Sequence, residues 1–122
     1  MAKKKTILVI DDTESILDAM SEILKLEGFT VCTAATEDEV HEIIEEKNIL
    51  PDLILLDVLL SGQDGRVIAQ YMKSDPKTKN IPIVMMSAHP DVSKTVAEAG
   101  ADGFIPKPFE IGELLSTINK FL

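Results

Sequence analysis

Asp11 and Asp12, Asp57, Ser87 and Lys107 each stand directly after a short apolar run, and their types suit the handling of a phosphoryl group. If the runs bring them together, three carboxylates share one small volume. Crowded carboxylates repel, so either their pKa values rise or a cation neutralises them. Lys107 supplies one positive charge. A hard divalent ion with oxygen ligands answers the remainder, and Mg²⁺, which keeps several waters and favours one or two carboxylates plus a phosphate, fits the donor set. A carboxylate can itself be the nucleophile in phosphoryl transfer, provided the equatorial oxygens are neutralised in the transition state. Asp57 is placed for that role, with the aspartate pair on one side and Ser87 and Lys107 on the other. Mg²⁺, the Ser87 hydroxyl and the Lys107 ammonium then each take one phosphoryl oxygen.

The elements that must position these residues alternate regularly along the chain. Residues 6–10, 53–56 and 83–86 are almost continuously apolar, which predicts strands covered on both faces rather than strands with one wet side. Residues 29–34 and 103–105 are weaker strands suited to sheet edges. Ile16, Leu17, Met20, Ile23 and Leu24 recur at helical spacing, with Gly28 placed to end the first helix. Thr36 and Glu39 form a capping-box pattern for the second, which buries Val40, Ile43 and Ile44 and ends at residues 48–51. Asp64 caps a third helix carrying Val67, Ile68, Tyr71 and Met72, closed by Ser74, Asp75 and Pro76. The fourth, over 90–99, has little to bury, and the last shows Ile111, Leu114, Leu115, Ile118 and Leu122 along one stripe.

Five β-α units with right-handed crossovers predict an α/β domain over residues 1–122: a doubly wound, flavodoxin-like parallel sheet in order 2-1-3-4-5, with five helices on its two faces. Ligands bind such a sheet beyond the carboxyl ends of the strands, at the switch point between the first and third. All five polar residues fall at that edge.

Composition narrows the function. The chain of 122 residues leaves no room for a second folded domain. Its formal net charge of −9, with basic residues dispersed apart from Lys3, Lys4 and Lys5, opposes binding to a phosphate backbone, so no nucleic-acid partner is expected. The lysine run reads as a solvated stretch before the first strand. Cys32 is the only cysteine, which excludes an internal disulfide and predicts a small buried hydrophobe. No apolar run approaches the roughly 20 residues that span a bilayer, and the N-terminus lacks a secretory signal pattern. A cytoplasmic protein with no membrane partner is expected.

The residues named so far resemble the receiver domain of two-component response regulators, of the single-domain CheY-like kind, along nearly the whole chain. The matching motifs are Val-Ile-Asp-Asp at 9–12, Leu-Leu-Asp at 55–57, Asp64-Gly65, Met-Ser-Ala at 86–88, Ala-Gly-Ala-Asp-Gly-Phe at 99–104 and Lys-Pro-Phe at 107–109. Each is weak alone, but in this order they are specific. The resemblance implies that Asp57 is the phosphoacceptor, that Asp11 and Asp12 organise the metal, and that the Leu59 carbonyl completes its protein ligands. It also implies that Ser87 and Phe104 are a switch pair, through which phosphorylation alters the surface made by the fourth helix, fifth strand and fifth helix. The implied partners are a histidine kinase or phosphotransfer protein as donor and a downstream target protein, with the chain a monomer or a phosphorylation-dependent dimer. Such a protein is a switch that catalyses only its own phosphorylation and dephosphorylation.

Two departures from the family pattern stand out. Leu60-Ser61 replaces the Met-Pro often found there, which leaves the loop less rigid but removes no ligand. Pro106 removes a backbone donor at the end of the fifth strand and restricts Ile105. Lys107-Pro108 is a candidate cis peptide, as the family suggests and X-Pro energetics permit. Leu59 and His89, each two positions past a site residue, are placed to shield the aspartyl phosphate from water.

Simpler readings compete at each position. Asp11, Asp12 or Ser87 can cap a helix or turn, Phe104 can be core, and Lys107 can be a surface lysine. His89 and the distant His41 lack further nitrogen or sulfur ligands and do not form a metal site. A Mg²⁺-dependent phosphohydrolase of the haloacid-dehalogenase kind needs an aspartate two residues after the nucleophile, where this chain has Leu59. A degenerate receiver that only binds partners is opposed by the intact Asp12, Asp57, Ser87 and Lys107.

Overall fold

The computed structural model describes residues 4–60, 62–88 and 93–122, with the backbone alone for Ser93 and Lys94. The readings of Lys3, Ser61 and His89, and of a helix start at residue 90, lie outside these residues. Strands β1 (Thr6–Ile10), β2 (Thr30–Ala34), β3 (Leu53–Asp57), β6 (Ile83–Ser87) and β7 (Gly103–Pro106) form one sheet in the order β2-β1-β3-β6-β7, and every pairing in it is parallel. This is the expected 2-1-3-4-5 arrangement. A second, two-stranded antiparallel sheet was not foreseen: β4 (Leu59–Leu60) and β5 (Gln63–Asp64) fold the segment after Asp57 into a small hairpin.

Every residue of β3 and β6 is buried, as continuously apolar central strands require. Their side chains alternate between two apolar layers. Ile7, Val9, Leu53, Leu55, Val84, Met86 and Ile105 pack with α1 (Glu14–Leu26) and α5 (Ile111–Phe121). On the other face Leu8, Ile10, Ile54, Leu56, Ile83 and Met85 pack with α2 (Glu37–His41), α3 (Gly65–Ser74) and α4 (Ser93–Glu98). Full burial of one Leu or Ile side chain contributes roughly 1.5–3 kcal/mol, against about 1 kcal/mol net for a ladder hydrogen bond, so the covering layers dominate the sheet's stability. Cys32, on the edge strand β2, is free and only partly buried, less enclosed than expected.

Local chemistry sets the helix boundaries. Thr36 Oγ1 accepts the Glu39 N–H at 3.2 Å, and Glu39 Oε1 reaches back to the Ala35 N–H at 3.2 Å, one residue earlier than the usual capping box. Asp64 accepts the Arg66 N–H at 2.9 Å and starts α3. Asp75 ends it in an extended conformation, as a residue before proline prefers. Gly28, at φ 96, lets the Phe29 N–H return to the Leu24 carbonyl and closes α1. After α2 the chain widens into a π-helical turn over Glu42–Glu46, which keeps Ile43 and Ile44 buried before Asn48 turns away at φ 54. On α5 only part of the expected stripe is covered: Leu114 and Ile118 are buried, while Ile111 and Leu122 are 52% and 39% exposed.

The edge of the sheet opposite the strand ends is held by a polar clamp. Asp102 Oδ2 accepts the Ile83 N–H at 2.9 Å and the Lys73 ammonium at 2.7 Å, and Lys73 also donates to the Ile81 carbonyl at 2.9 Å. Asp102→Ala leaves the Ile83 N–H unanswered and Lys73 without its counter-charge. The expected cost is about 1–2 kcal/mol in urea unfolding, without loss of secondary structure. A change below about 0.5 kcal/mol, the range of neutral surface substitutions, refutes the clamp.

Candidate functional site

The carboxyl ends of β1, β3, β6 and β7 deliver the five polar residues to one place. Asp11 follows β1, is fully buried, and is pinned through its backbone N–H to the Ala34 carbonyl at 3.1 Å and through Oδ1 to the Thr13 N–H at 3.0 Å. Asp12 is partly buried beside it. Asp57 ends β3 and is 9% exposed. One carboxylate oxygen from each of Asp11, Asp12 and Asp57 lies within 4.8 Å of the others, a geometry that can hold a metal ion.

Lys107 lies over this cluster from the end of β7. Its ammonium is 3.3 Å from Asp11 Oδ2 and 3.5 Å from Asp57 Oδ1. The backbone beneath is fixed too: Pro106 pairs with Ser87 in the sheet register, and the Lys107 N–H donates to the Ser87 carbonyl at 2.8 Å. Pro106 therefore costs the ladder nothing, because β7 is the edge strand and the next donor is supplied by Lys107. The Lys107-Pro108 bond is cis, as anticipated. Ser87 is buried, 2% exposed, at the end of β6.

Burial pushes the Asp57 carboxyl above its ordinary range, and the negative charge of Asp11 adds to this; the Lys107 ammonium and the Leu59 N–H pull the other way. Removing a carboxylate from water dominates. The fold thus holds Asp57 at an energetic cost that a cation at the cluster relieves.

The new hairpin shapes the wall beside Asp57. The Gly65 N–H donates to the Val58 carbonyl at 2.7 Å, and a Cβ at Gly65 would collide with the Asp57 carbonyl oxygen. Only glycine permits so close an approach of α3 to the end of β3. Leu59, two residues past Asp57, is 54% exposed, while Leu60 is buried. Phe104 is apart from the cluster. It pairs with Met85 in the sheet register and packs, partly buried, against the apolar layer that includes Val96 of α4 and Ala99 just after it. Beside the site, a groove of about 410 Å³ runs between α1 and the start of the α5 region, lined by Ile16, Ala19, Met20, Pro108 and Phe109 and ending at Lys107.

Sequence reasoning missed the polar ties around the hairpin. Gln63 accepts the Glu37 N–H at 3.1 Å, linking the hairpin to α2, and Arg66 joins Asp64 to Thr95 of α4. Neither follows a helical or strand period, so no sequence signal marks them.

This arrangement is that of a response regulator receiver domain, and the chain belongs to that family: the family pattern matches residues 7–119. Over 120 residues it is 35% identical to the phosphate regulon transcriptional regulatory protein PhoB of Pseudomonas aeruginosa, covering 97% of this chain and 52% of that protein. The chain thus spans about half the length of the curated relatives it matches. Among solved structures, chemotaxis protein CheY4 of Vibrio cholerae superposes with a TM-score of 0.90 at 27% identity, covering 98% of this chain and all of that one. The response regulator TrrA of Thermotoga maritima, solved in complex with Mg²⁺ and BeF, superposes with a TM-score of 0.83 at 28% identity, covering 97% and 99%. Among the described residues no helix is long and apolar enough to cross a membrane.

The raised Asp57 pKa gives a stability prediction in metal-free buffer. Below the unfolded value near 3.8 the carboxyl is protonated in both states and imposes no ionic cost; as pH rises past it, the unfolded chain ionises first and the fold loses stability. Asp57→Asn, which cannot ionise, should therefore raise the melting temperature at pH 7. That gain should shrink as pH falls toward 3.8. Equal gains at both pH values, or a loss at pH 7, contradict the assignment.

Proposed function

We propose that this chain is a phosphorylation switch in which Asp57 accepts a phosphoryl group from a phosphohistidine donor, with Mg²⁺ bound at the acidic cluster. The observation that carries it is the convergence of Asp11, Asp12 and Asp57 with Lys107 bridging two of them at the switch-point edge of the sheet. Asp11, Asp12, Asp57 and the Leu59 carbonyl would hold the ion, which neutralises charge on the phosphoryl oxygens.

The chain's own groups do the rest. An Asp57 carboxylate oxygen forms the new O–P bond while the P–N bond to the donor imidazole breaks, and the imidazole leaves with the electron pair. Lys107, already beside Asp57, pairs its ammonium with one phosphoryl oxygen, and the buried Ser87 hydroxyl donates to another. Reaching that oxygen draws the end of β6 inward. The rearrangement makes room for Phe104 to turn toward the core, altering the surface of α4, β7 and α5 that a target protein reads.

The groove beside Lys107, lined on α1 by Ile16, Ala19 and Met20, is an apolar approach for the donor protein. With a net charge of −9, the partners are taken to be proteins, not nucleic acid. One relative, the DNA-binding response regulator MtrA of Mycobacterium tuberculosis, is a protein of which this chain covers 50%, so that binding is not carried over. The setting is taken to be the cytoplasm, and the chemistry to be self-phosphorylation and self-dephosphorylation without turnover of external esters.

Incubation with acetyl phosphate and Mg²⁺ should add a single mass of roughly 80 Da, one phosphoryl group. The adduct should be absent without Mg²⁺ and absent in Asp57→Asn. An adduct that persists in Asp57→Asn removes Asp57 from this role. If the half-exposed Leu59, two residues past Asp57, shields the acyl phosphate from water, Leu59→Asn should shorten the phosphorylated lifetime several-fold, on the order of 1 kcal/mol in the hydrolysis barrier. An unchanged dephosphorylation rate, followed by the same mass shift over time, defeats the shielding role.

A further inference from the structure

Arg66 joins the acceptor hairpin to α4 by a route that bypasses Ser87. Its guanidinium is locked in plane by Asp64: Nε donates to Oδ1 at 2.9 Å and to Oδ2 at 3.0 Å, and Nη2 donates to Oδ2 at 2.6 Å. That leaves Nη1 to donate to Thr95 Oγ1 at 2.7 Å. An arginine fixed by a carboxylate fork loses little further freedom on making one more bond, so the reach to α4 is preorganised.

The anchor end is continuous with the phosphorylation site. Asp64 pairs with Leu59 across the β4-β5 hairpin, and the next residue, Gly65, is hydrogen-bonded to Val58 and packed on the Asp57 carbonyl. The other end lies on α4, the element that must move when the end of β6 is drawn toward a phosphoryl oxygen. Thus α4 is tied to the site both along the chain from Ser87 and across space through Arg66.

We propose that Arg66 is a positioning residue that latches α4 in the place it takes in the unphosphorylated chain, and that switching requires this latch to open; this rests on the receiver reading above. A bond of 2.7 Å passes the 3.5 Å limit once α4 shifts by about 1 Å away from Arg66, so it exists in one position of α4 only. An interaction made in one of two states biases their equilibrium by its own free energy. The latch therefore weakens binding of anything that selects the switched state.

The test uses the whole chain with Mg²⁺ and beryllofluoride, a phosphoryl mimic, followed by NMR titration. Thr95→Val keeps the side-chain shape and removes the acceptor, and Arg66→Gln removes the donor. Each should bind beryllofluoride about three- to tenfold more tightly than the parent chain, the range expected for one partly exposed hydrogen bond to a charged group. Mg²⁺ affinity measured without beryllofluoride should stay unchanged, and the double variant should bind no tighter than either single one. A merely structural contact would lower the melting temperature and leave beryllofluoride affinity where it was. Unchanged or weaker affinity in Thr95→Val, or fully additive gains in the double variant, overturns the latch. Should Arg66→Gln not fold, Thr95→Val decides alone. Failure of the parent chain to bind beryllofluoride at all defeats the receiver reading instead.

Discussion

Three carboxylates held within 4.8 Å of one another at the rim of an apolar sheet repel, and one ammonium answers only part of that repulsion. Most of the surrounding structure can be understood as what is needed to keep them there. Asp11 is pinned by two backbone hydrogen bonds, Asp57 terminates a strand with no exposed residue on either side of the sheet, and Lys107 is fixed through its own N–H to Ser87. Rigid strands carry the charges. Without such support, the chain would relax the cluster by moving its members apart, and the site would lose its preference for a divalent ion.

The same constraint explains where rigidity stops. The strands that bear Asp57 and Ser87 are buried on both faces, whereas the next described elements after them are a two-residue-per-strand hairpin and the short helix α4. The charges sit on fully covered strands, and the elements that follow those strands are short. Phe104 stands at the boundary, on the edge strand β7 and against the layer that contains Val96 and Ala99.

The sheet was legible in the sequence because a strand covered on both faces leaves no alternation to interpret, and the residue ending each apolar run is then assigned to the ligand edge. Asp11, Asp57, Ser87 and Lys107 follow from that rule. The hairpin of Leu59-Leu60 and Gln63-Asp64 did not, because two residues are too few to display a period. Nor did the π-helical turn, since Ile43 and Ile44 satisfy an ordinary helical stripe equally well. Ile111 shows the limit of periodicity at a helix end, where the stripe continues but the partner surface has run out. Arg66 escaped for another reason: its partners, Asp64 and Thr95, lie two and 29 residues away, and a side chain of that length is not confined by the spacing of its own helix.

Lys107 and Asp11 are 96 positions apart in the chain, yet their side chains meet. A contact of such long range pays a large loop-closure cost that only the intervening strands of the sheet repay. A chain made from its N-terminus has Asp11, Asp12 and Asp57 before it has the Lys107 ammonium that stands against two of them. The charge arrangement around Asp11 and Asp57 is therefore complete only once β7 has joined the sheet.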